Sequence, residues 1–196
     1  MNIEKLLQFL TFVDQLRNVK RTVNLKEGGF ENVMEHTMQL ALVCWYIIED
    51  QNLDLDTEKV LKYCLVHDLV EVYSGDTDPY LSDKEYKESQ SSREATALER
   101  IEREFPGLEK SILQMIKDYE SQIDPEAGFV CGIDGLVPSM TLFTEESTYY
   151  QDNKIPARKF EDWNMGKAKN SKFAQQLLKN LKDYYQEQRN FFYKEN

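Results

Sequence analysis

Apolar residues that return every three or four positions are the feature that most limits how this 196-residue chain can fold. The N-terminal stripe is typical, because Ile3, Leu6, Leu7, Leu10 and Val13 would share one face of a helix. The same spacing predicts further helices over about 32–49, 57–74, 82–105, 108–119, 125–140 and 173–184. No segment alternates apolar and polar residues as a half-buried strand does. The sequence therefore predicts an all-α fold, a single compact helical bundle with an extra C-terminal helix.

Capping and breaking residues predict where several of these helices begin and end. Ser82 and Glu85 have the spacing of a capping box, and the run 105–107 (Phe-Pro-Gly) would end the same helix. Asp124 followed by Pro125 predicts another helix start. The polar stretch 151–170 is the only linker candidate, so we expect a domain over 1–150 and a linker plus packed helix over 151–196.

Composition and charge restrict the partners of the chain. Apolar residues make up 41% of it, enough for a substantial core, and its formal net charge is −11. An acidic surface repels nucleic acid and anionic membranes, so we expect a small-molecule partner, no nucleic acid and no membrane. The three cysteines (Cys44, Cys64 and Cys131) form no CxxC pair, and the N-terminus lacks a signal-peptide pattern. A cytoplasmic location is the expectation.

Two histidines and two acids stand in apolar surroundings on predicted helices. His36 and His67 are the only histidines in the chain, Asp68 follows His67 directly, and Asp134 interrupts an apolar run. A carboxylate in such a run is costly unless it is paired, hydrogen-bonded or bound to a metal. Two imidazoles and two carboxylates suit a divalent transition metal better than calcium or magnesium. The alternative is that each is an ordinary hydrogen-bonded core residue.

These residues carry a resemblance to a known family. His36, the dipeptide His67-Asp68 and Asp134 match the H…HD…D signature of the HD-domain metal-dependent phosphohydrolases. The segments 31–36 (Glu-Asn-Val-Met-Glu-His) and 67–76 (His-Asp-Leu-Val-Glu-Val-Tyr-Ser-Gly-Asp) resemble its 5′-deoxynucleotidase branch, as do 118–122 and 126–130. The resemblance covers roughly residues 5–145.

The resemblance implies a metal and a reaction. His36, His67, Asp68 and Asp134 would bind one divalent transition metal, such as Mn, Co, Zn, Ni or Fe. Glu71 lies one helical turn after Asp68 and would position or deprotonate the attacking water. The implied reaction is hydrolysis of nucleoside 5′-monophosphates, ribo or deoxy, to nucleoside and phosphate.

The resemblance also implies residues that contact the substrate. Arg21 would orient the phosphate, and Asp76 would contact the substrate or fix Glu71. Tyr119 and Gln122 fall where family members contact the nucleotide. Thr22 stands where bacterial deoxynucleotidases carry tryptophan near the sugar, so we expect weaker discrimination against a 2′-hydroxyl.

Three alternatives stay open at this point. The chain would instead hydrolyse another phosphorylated nucleotide, such as an alarmone or a cyclic nucleotide, or act as a non-catalytic nucleotide-binding regulator. A structural zinc module using Cys64 and Cys131 is the third. The aromatic C-terminal residues Phe191, Phe192 and Tyr193 are compatible with a homodimer.

Overall fold

The protein is described by a computed structural model that covers residues 2–26, 28–108 and 110–194. Helices dominate it, as the sequence predicts. The described helices are α1 (Ile3–Asp14), α2 (Val33–Gln51), α3 (Thr57–Val66), α4 (Glu71–Ser74), α5 (Lys84–Glu88), α6 (Gln90–Glu104), α7 (Ile112–Ser121), α8 (Pro125–Thr144), α9 (Tyr149–Asp152), α10 (Ala157–Lys167) and α11 (Lys172–Gln188). Short 3-10 turns cover Gln15–Asn18 and Ala168–Asn170.

A small hairpin interrupts the helical pattern between α1 and α2. Strand β1 (Lys20–Asn24) pairs antiparallel with β2 (Phe30–Asn32), with Lys20 opposite Asn32 and Asn24 opposite Phe30. Gly28 and Gly29 turn the chain at φ of 92° and 98°, where glycine is strongly favoured. The sequence pattern did not predict these strands, because five and three residues are too few to show an alternation.

Helix α8 is the central element. Asp124 caps it by accepting a hydrogen bond from the Ala127 backbone N–H at 2.9 Å, and Pro125 is the first helical residue, as predicted. The helix packs against α2, α3, α7, α10 and α11. It is long and apolar enough to cross a membrane by length and composition, but 67% of that window is buried inside the fold. That burial is the pattern of a core helix.

The buried residues form three clusters, of which the first two include residues of this helix. The first joins α2, α3 and α8 through residues such as Leu40, Cys64 and Ile133. The second joins α8 to the C-terminal elements and is rich in aromatic side chains. The third packs α1 against α6 and α7, with Phe12 and Ile101 at its centre. The hairpin and the end of α3 are both anchored in this core, through Val23 and Val66.

The predicted start of the fourth helix is one residue too early. Asp83, not Ser82, is the cap of α5, and it accepts a hydrogen bond from the Tyr86 backbone N–H at 2.8 Å. The predicted helix is also divided into α5 and α6 at Ser89. Its end before Phe105 is confirmed. An aspartate next to a serine competes for the same capping role, and capping statistics rank the two nearly equally.

The stretch 151–170 is not a linker, because it contains α10 and the 3-10 turn after it. Phe160 on α10 is fully buried. The other residues of this helix are mostly polar, so the sequence shows no apolar periodicity there. Phe191 and Phe192 are also buried, in the second cluster. They pack inside the chain, so they do not form an exposed face for a homodimer.

Candidate active site

Four predicted metal ligands come together at one place in the structure. Single donor atoms of His36, His67 and Asp134 lie within 4.8 Å of one another, and all three residues are buried. His36 Nε2 lies 2.9 Å from Asp134 Oδ1. Asp68 is outside this tightest group, but its Oδ2 is 3.0 Å from His67 Nε2. The four side chains come from α2, the end of α3, the turn after it and α8.

Local structure orients the two imidazoles. A capping box at Asn32 and Glu35 begins α2, and His36 follows within its first turns. His67 ends α3, where its Nδ1 donates a hydrogen bond to the Cys64 carbonyl at 2.7 Å. That bond assigns the Nδ1–H tautomer and leaves the lone pair of Nε2 facing the carboxylates. The helix predicted over 57–74 is divided here, because α3 ends at Val66 and α4 begins at Glu71.

The donor set fits a divalent cation. In the neutral imidazole, His67 Nε2 presents a lone pair to Asp68 Oδ2 at 3.0 Å and to Asp134 Oδ1 at 3.7 Å. Among the described residues, this buried nitrogen and His36 Nδ1 have no hydrogen-bond partner. Lone pairs directed at one point repel each other unless a proton or a cation lies between them. Nitrogen and carboxylate ligands together favour a transition metal.

Burial and nearby charged groups set the protonation states of His36, His67 and Asp134. Burial lowers the pKa of His36 to about 4, so this imidazole is neutral. Burial also opposes a charge on His67, but Asp68 and Asp134 outweigh it and raise the His67 pKa to about 9. Without a cation at this place, Nε2 therefore carries a proton, which a bound metal would replace. Burial would raise the pKa of Asp134, yet Lys167 and His36 hold it well below its usual range. Asp134 is therefore a carboxylate, as a metal ligand must be.

Arg21, on β1, lies against three carboxylates. Its Nε is 3.1 Å from Glu31 Oε2, and its Nη1 is 3.3 Å from Asp68 Oδ2 and 3.4 Å from Asp76 Oδ1. Burial opposes its charge, but Asp76, Asp68 and Glu71 raise the pKa of Arg21, so it remains a cation. The structure thus brings the predicted phosphate-binding arginine directly beside a predicted metal ligand.

Glu31 belongs to this site but had no role assigned from the sequence. It is fully buried, pairs with Arg21 and places Oε2 3.8 Å from His36 Nδ1. Burial raises the pKa of Glu31 to about 7, against the lowering effect of Arg21. A glutamate in the middle of a three-residue strand carries no pattern of its own, so only its contacts identify it.

Glu71 and Asp76, the two predicted catalytic acids, line the same cavity. Glu71 begins α4, is buried, and its Oε2 has no hydrogen-bond partner among the described residues. Burial and the neighbouring Asp68 raise the pKa of Glu71 well above its ordinary value. Burial also raises the pKa of Asp76 to about 6, although Arg21 opposes the shift.

A cavity of about 230 Å³ opens above these groups. Thr22 lines it, and the Thr22 hydroxyl donates a hydrogen bond to Asp78 Oδ2. Tyr149 donates to the same oxygen at 2.6 Å. Asp78 Oδ1 accepts the backbone N–H groups of Tyr80 and Leu81 at 2.6 and 2.7 Å. Asp78 therefore fastens the loop after α4 to β1 and α9, and it shapes the wall beside Thr22.

Tyr119 lines the cavity, but its hydroxyl is hydrogen-bonded to Asp134, one of the predicted metal-binding residues. It donates a hydrogen bond to Asp134 Oδ2 at 3.1 Å, and its ring meets the edge of His67. Gln122 does not line this cavity, so its position gives no support to the predicted substrate contact. It ends α7, donates to Cys131 Sγ at 3.0 Å and accepts from Asn170. The left-handed conformation at Gln122 turns its side chain toward α8.

The cysteines do not form a metal site in the described part of the chain. All three are free and buried, and the group of metal-type side chains there contains none of them. They act as small core residues. The lining residues that the sequence did not predict include four from the C-terminal part of the chain: Tyr149, Tyr150, Trp163 and Lys167. No local motif marks them, since they reach the cavity only through the packing of α9 and α10.

Comparisons with known proteins agree with this geometry. A family model described as an HD domain matches residues 13–176, which extends the resemblance through α10. The chain is similar to the 5′-deoxynucleotidase HDDC2 of Homo sapiens, with 31% identity over 175 residues, 87% of this chain and 81% of that one. It is similar to the 5′-deoxynucleotidase hdd1 of Schizosaccharomyces pombe, with 28% identity over 76% of this chain and 78% of that protein.

One solved structure is similar over almost the whole chain. It is a predicted metal-dependent phosphohydrolase from Magnetospirillum magnetotacticum MS-1, with a TM-score of 0.81 and 21% identity. The match covers 98% of this chain and 96% of that structure. At this identity the likeness establishes the fold, and it includes the C-terminal helices that form one wall of the cavity.

Proposed function

The chain belongs to the HD domain family, and from this premise we propose that it is a metal-dependent phosphohydrolase that removes phosphate from nucleoside 5′-monophosphates. The observation that carries the proposal is the convergence of His36, His67, Asp68 and Asp134 below a cavity that also contains Arg21. Relatives named 5′-deoxynucleotidases support the substrate class.

One divalent transition metal would be held by His36, His67, Asp68 and Asp134. When bound, a cation of this class acts as a Lewis acid on the phosphoryl oxygens and on the attacking water. The mixed nitrogen and carboxylate donors support Mn, Co, Zn, Ni or Fe as its identity. Glu31, whose Oε2 lies 3.8 Å from His36 Nδ1, would help to orient the His36 ring for metal binding.

Arg21 would bind the phosphate through its planar guanidinium. Its contacts with Glu31, Asp68 and Asp76 hold the group in one orientation, so little side-chain freedom is lost on binding. Charge-assisted hydrogen bonds from arginine to phosphate oxygens are short and strong. They would stabilise the charge that spreads over these oxygens during transfer.

Glu71 would take the proton of the attacking water. As the water oxygen bonds to phosphorus, the bond from phosphorus to O5′ breaks. The leaving alkoxide takes up a proton from solvent, and Glu71 then returns its proton to solvent. Burial raises the pKa of Glu71, so its ionised carboxylate, which a nearby divalent cation would favour, binds a proton more strongly than an exposed carboxylate does. Asp76 lines the cavity beside Arg21 and would contact the substrate or hold Arg21 in place.

Thr22 and Asp78 would face the sugar. Both line the cavity, and their mutual hydrogen bond leaves a small polar wall at this position. A wall of this size excludes an added hydroxyl only weakly. We therefore propose that ribonucleotides and deoxyribonucleotides are both substrates.

The test is phosphate release by metal-stripped protein. A panel of nucleoside 5′-monophosphates is assayed with Mn²⁺, Co²⁺, Zn²⁺, Ni²⁺, Fe²⁺ and Mg²⁺ in parallel. We expect metal-dependent release that the Glu71→Gln variant, purified in the same way, does not show. Hydrolysis confined to alarmones or cyclic nucleotides would assign another branch of the family, and binding without turnover would indicate a regulator.

A further inference from the structure

Helix α10 directs two side chains into the cavity that the proposed reaction does not use. Trp163 and Lys167 are four residues apart, so they lie on the same side of the helix, and both line the cavity. Lys167 Nζ is 3.3 Å from Asp134 Oδ2, and its side chain is 34% exposed. Trp163 is 41% exposed, which leaves part of the indole open to solvent.

The charge of the cavity makes Lys167 unusual. Among the described lining residues there are seven carboxylates but only two of Lys and Arg, which are Arg21 and Lys167. Each cation pairs with a different predicted ligand, Arg21 with Asp68 and Lys167 with Asp134, both at 3.3 Å. A phosphate dianion entering such an acidic cavity needs cations close to the place where it binds.

Lys167 is not required to complete the hydrogen bonding of Asp134. That carboxylate already accepts the Tyr119 hydroxyl at 3.1 Å and lies 2.9 Å from His36 Nε2. The Lys167 ammonium has three donors and directs one of them to Asp134. It can therefore also donate a hydrogen bond to an anion in the cavity.

We propose that α10 binds the nucleotide, with Lys167 contacting the phosphate and Trp163 stacking on the base. This inference rests on the proposed function and specifies its substrate site. Residues one turn apart are separated by about 5–6 Å between Cβ atoms, and long side chains there reach neighbouring parts of one ligand. Every base has a π-face, so stacking on an indole tolerates different bases. The chain would therefore accept several bases.

The Lys167 contact is tested with inorganic phosphate as the probe. Lys167→Met is compared with Lys159→Met, a matched change at an exposed position on the same helix. We expect the Ki for phosphate to rise about 10- to 100-fold in Lys167→Met, the range of a charge-assisted hydrogen bond, and to stay within about twofold in Lys159→Met. Lys167→Arg should recover part of the loss. Metal bound per chain should be equal in all of these proteins.

Two results would overturn the Lys167 contact. A phosphate Ki within about twofold of wild type in Lys167→Met would show that the ammonium does not contact the anion. Loss of metal or of helical circular dichroism in both Lys167→Met and Lys167→Arg would instead show that Lys167 only supports the ligand set.

The Trp163 contact is tested by fluorescence, since the chain has only two tryptophans, Trp45 and Trp163. A Glu71→Gln background prevents turnover, and Trp45→Phe in that background leaves Trp163 as the only reporter. Adding a purine nucleoside 5′-monophosphate with metal should quench its emission. The reciprocal Trp163→Phe protein, which keeps Trp45, should show no quenching. Equal responses, or none in either, would overturn the stacking contact.

A baseless ligand separates stacking from general damage. Trp163→Ala should raise the KM for nucleotides about 5- to 100-fold, the range of base–aromatic stacking. The Ki of ribose 5-phosphate, which has no base, should not change, and an equal rise for both ligands would contradict the proposal. Failure of the proposed function looks different, because the wild type would then release no phosphate from any nucleoside monophosphate.

Discussion

Two of the buried acids in this site, Asp68 and Asp134, stay charged because each has a cation or a donor beside it. Asp68 lies next to Arg21 and His67, and Asp134 lies next to Lys167 and His36. Without such partners a carboxylate in an apolar core would cost several kcal/mol or take up a proton. Asp68 and Asp134 therefore each have a paired partner even without a bound metal.

The predicted ligand role of Asp68 is tested by Asp68→Ala. We expect metal affinity to fall at least about 100-fold, because loss of an outer partner alone costs about 10–100-fold. Phosphate release should disappear, while helical circular dichroism should be retained. Metal content by mass spectrometry is the measurement, and Asp54→Ala, an exposed aspartate, is the control. Full metal occupancy in Asp68→Ala would remove it from the ligand set.

The role of Glu71 is tested by the isosteric change Glu71→Gln. We expect kcat to fall about 10²–10⁴-fold, the usual contribution of a general acid–base group. Metal should be retained, because Glu71 is outside the predicted ligand set. The melting temperature should hardly change, since burial already favours the neutral form of this side chain. A rate near that of wild type would assign the proton transfer to another group.

At the scale of elements, the site depends on how closely α10 and α11 approach α8. Gly132 faces Ala174 of α11, and Gly135 faces Asn164 of α10. A Cβ at Gly135 would lie 2.7 Å from Asn164 Oδ1, closer than such atoms come in proteins. Two glycines one turn apart thus let the C-terminal helices reach the side of the cavity.

Replacing one of these glycines tests the close approach. Gly132→Ala puts a methyl group against Ala174, so we expect the free energy of unfolding to fall by about 1–3 kcal/mol. Gly166→Ala on α10 meets no atom within 4 Å. It should be neutral or stabilise by up to about 1 kcal/mol through helix propensity. Urea unfolding measures both, and equal effects of the two changes would contradict the close contact.

At the scale of the whole molecule, the segment that follows α11 is part of the hydrophobic core. Phe191 packs against Tyr150 and Tyr185, with ring centroids 5.1 and 4.7 Å apart. Tyr149, next to Tyr150, donates a hydrogen bond to Asp78 of the cavity wall. Packing at the end of the chain is therefore connected to the loop that follows α4.

A core phenylalanine so near the C-terminus should be important for stability. Phe191→Ala removes a ring that is only 2% exposed, so we expect a loss of about 3–5 kcal/mol. Phe30→Ala, at a position that is 53% exposed, should change the stability by less than about 0.5 kcal/mol. Thermal and urea unfolding of both variants give the comparison. A small effect at Phe191 would mean that the C-terminal segment is not part of the cooperative unit.

From the sequence we could predict the helical class, the starts of several helices and four candidate metal ligands. Helical periodicity and caps act over a few residues, and a histidine or aspartate in an apolar run stands out locally. Tertiary structure alone decided that Glu31 holds Arg21, that Gln122 turns away from the cavity and that Trp163 and Lys167 enter it. Those contacts join residues far apart in the chain. Nothing in the spacing of either partner encodes such a contact, since it arises only when the helices pack.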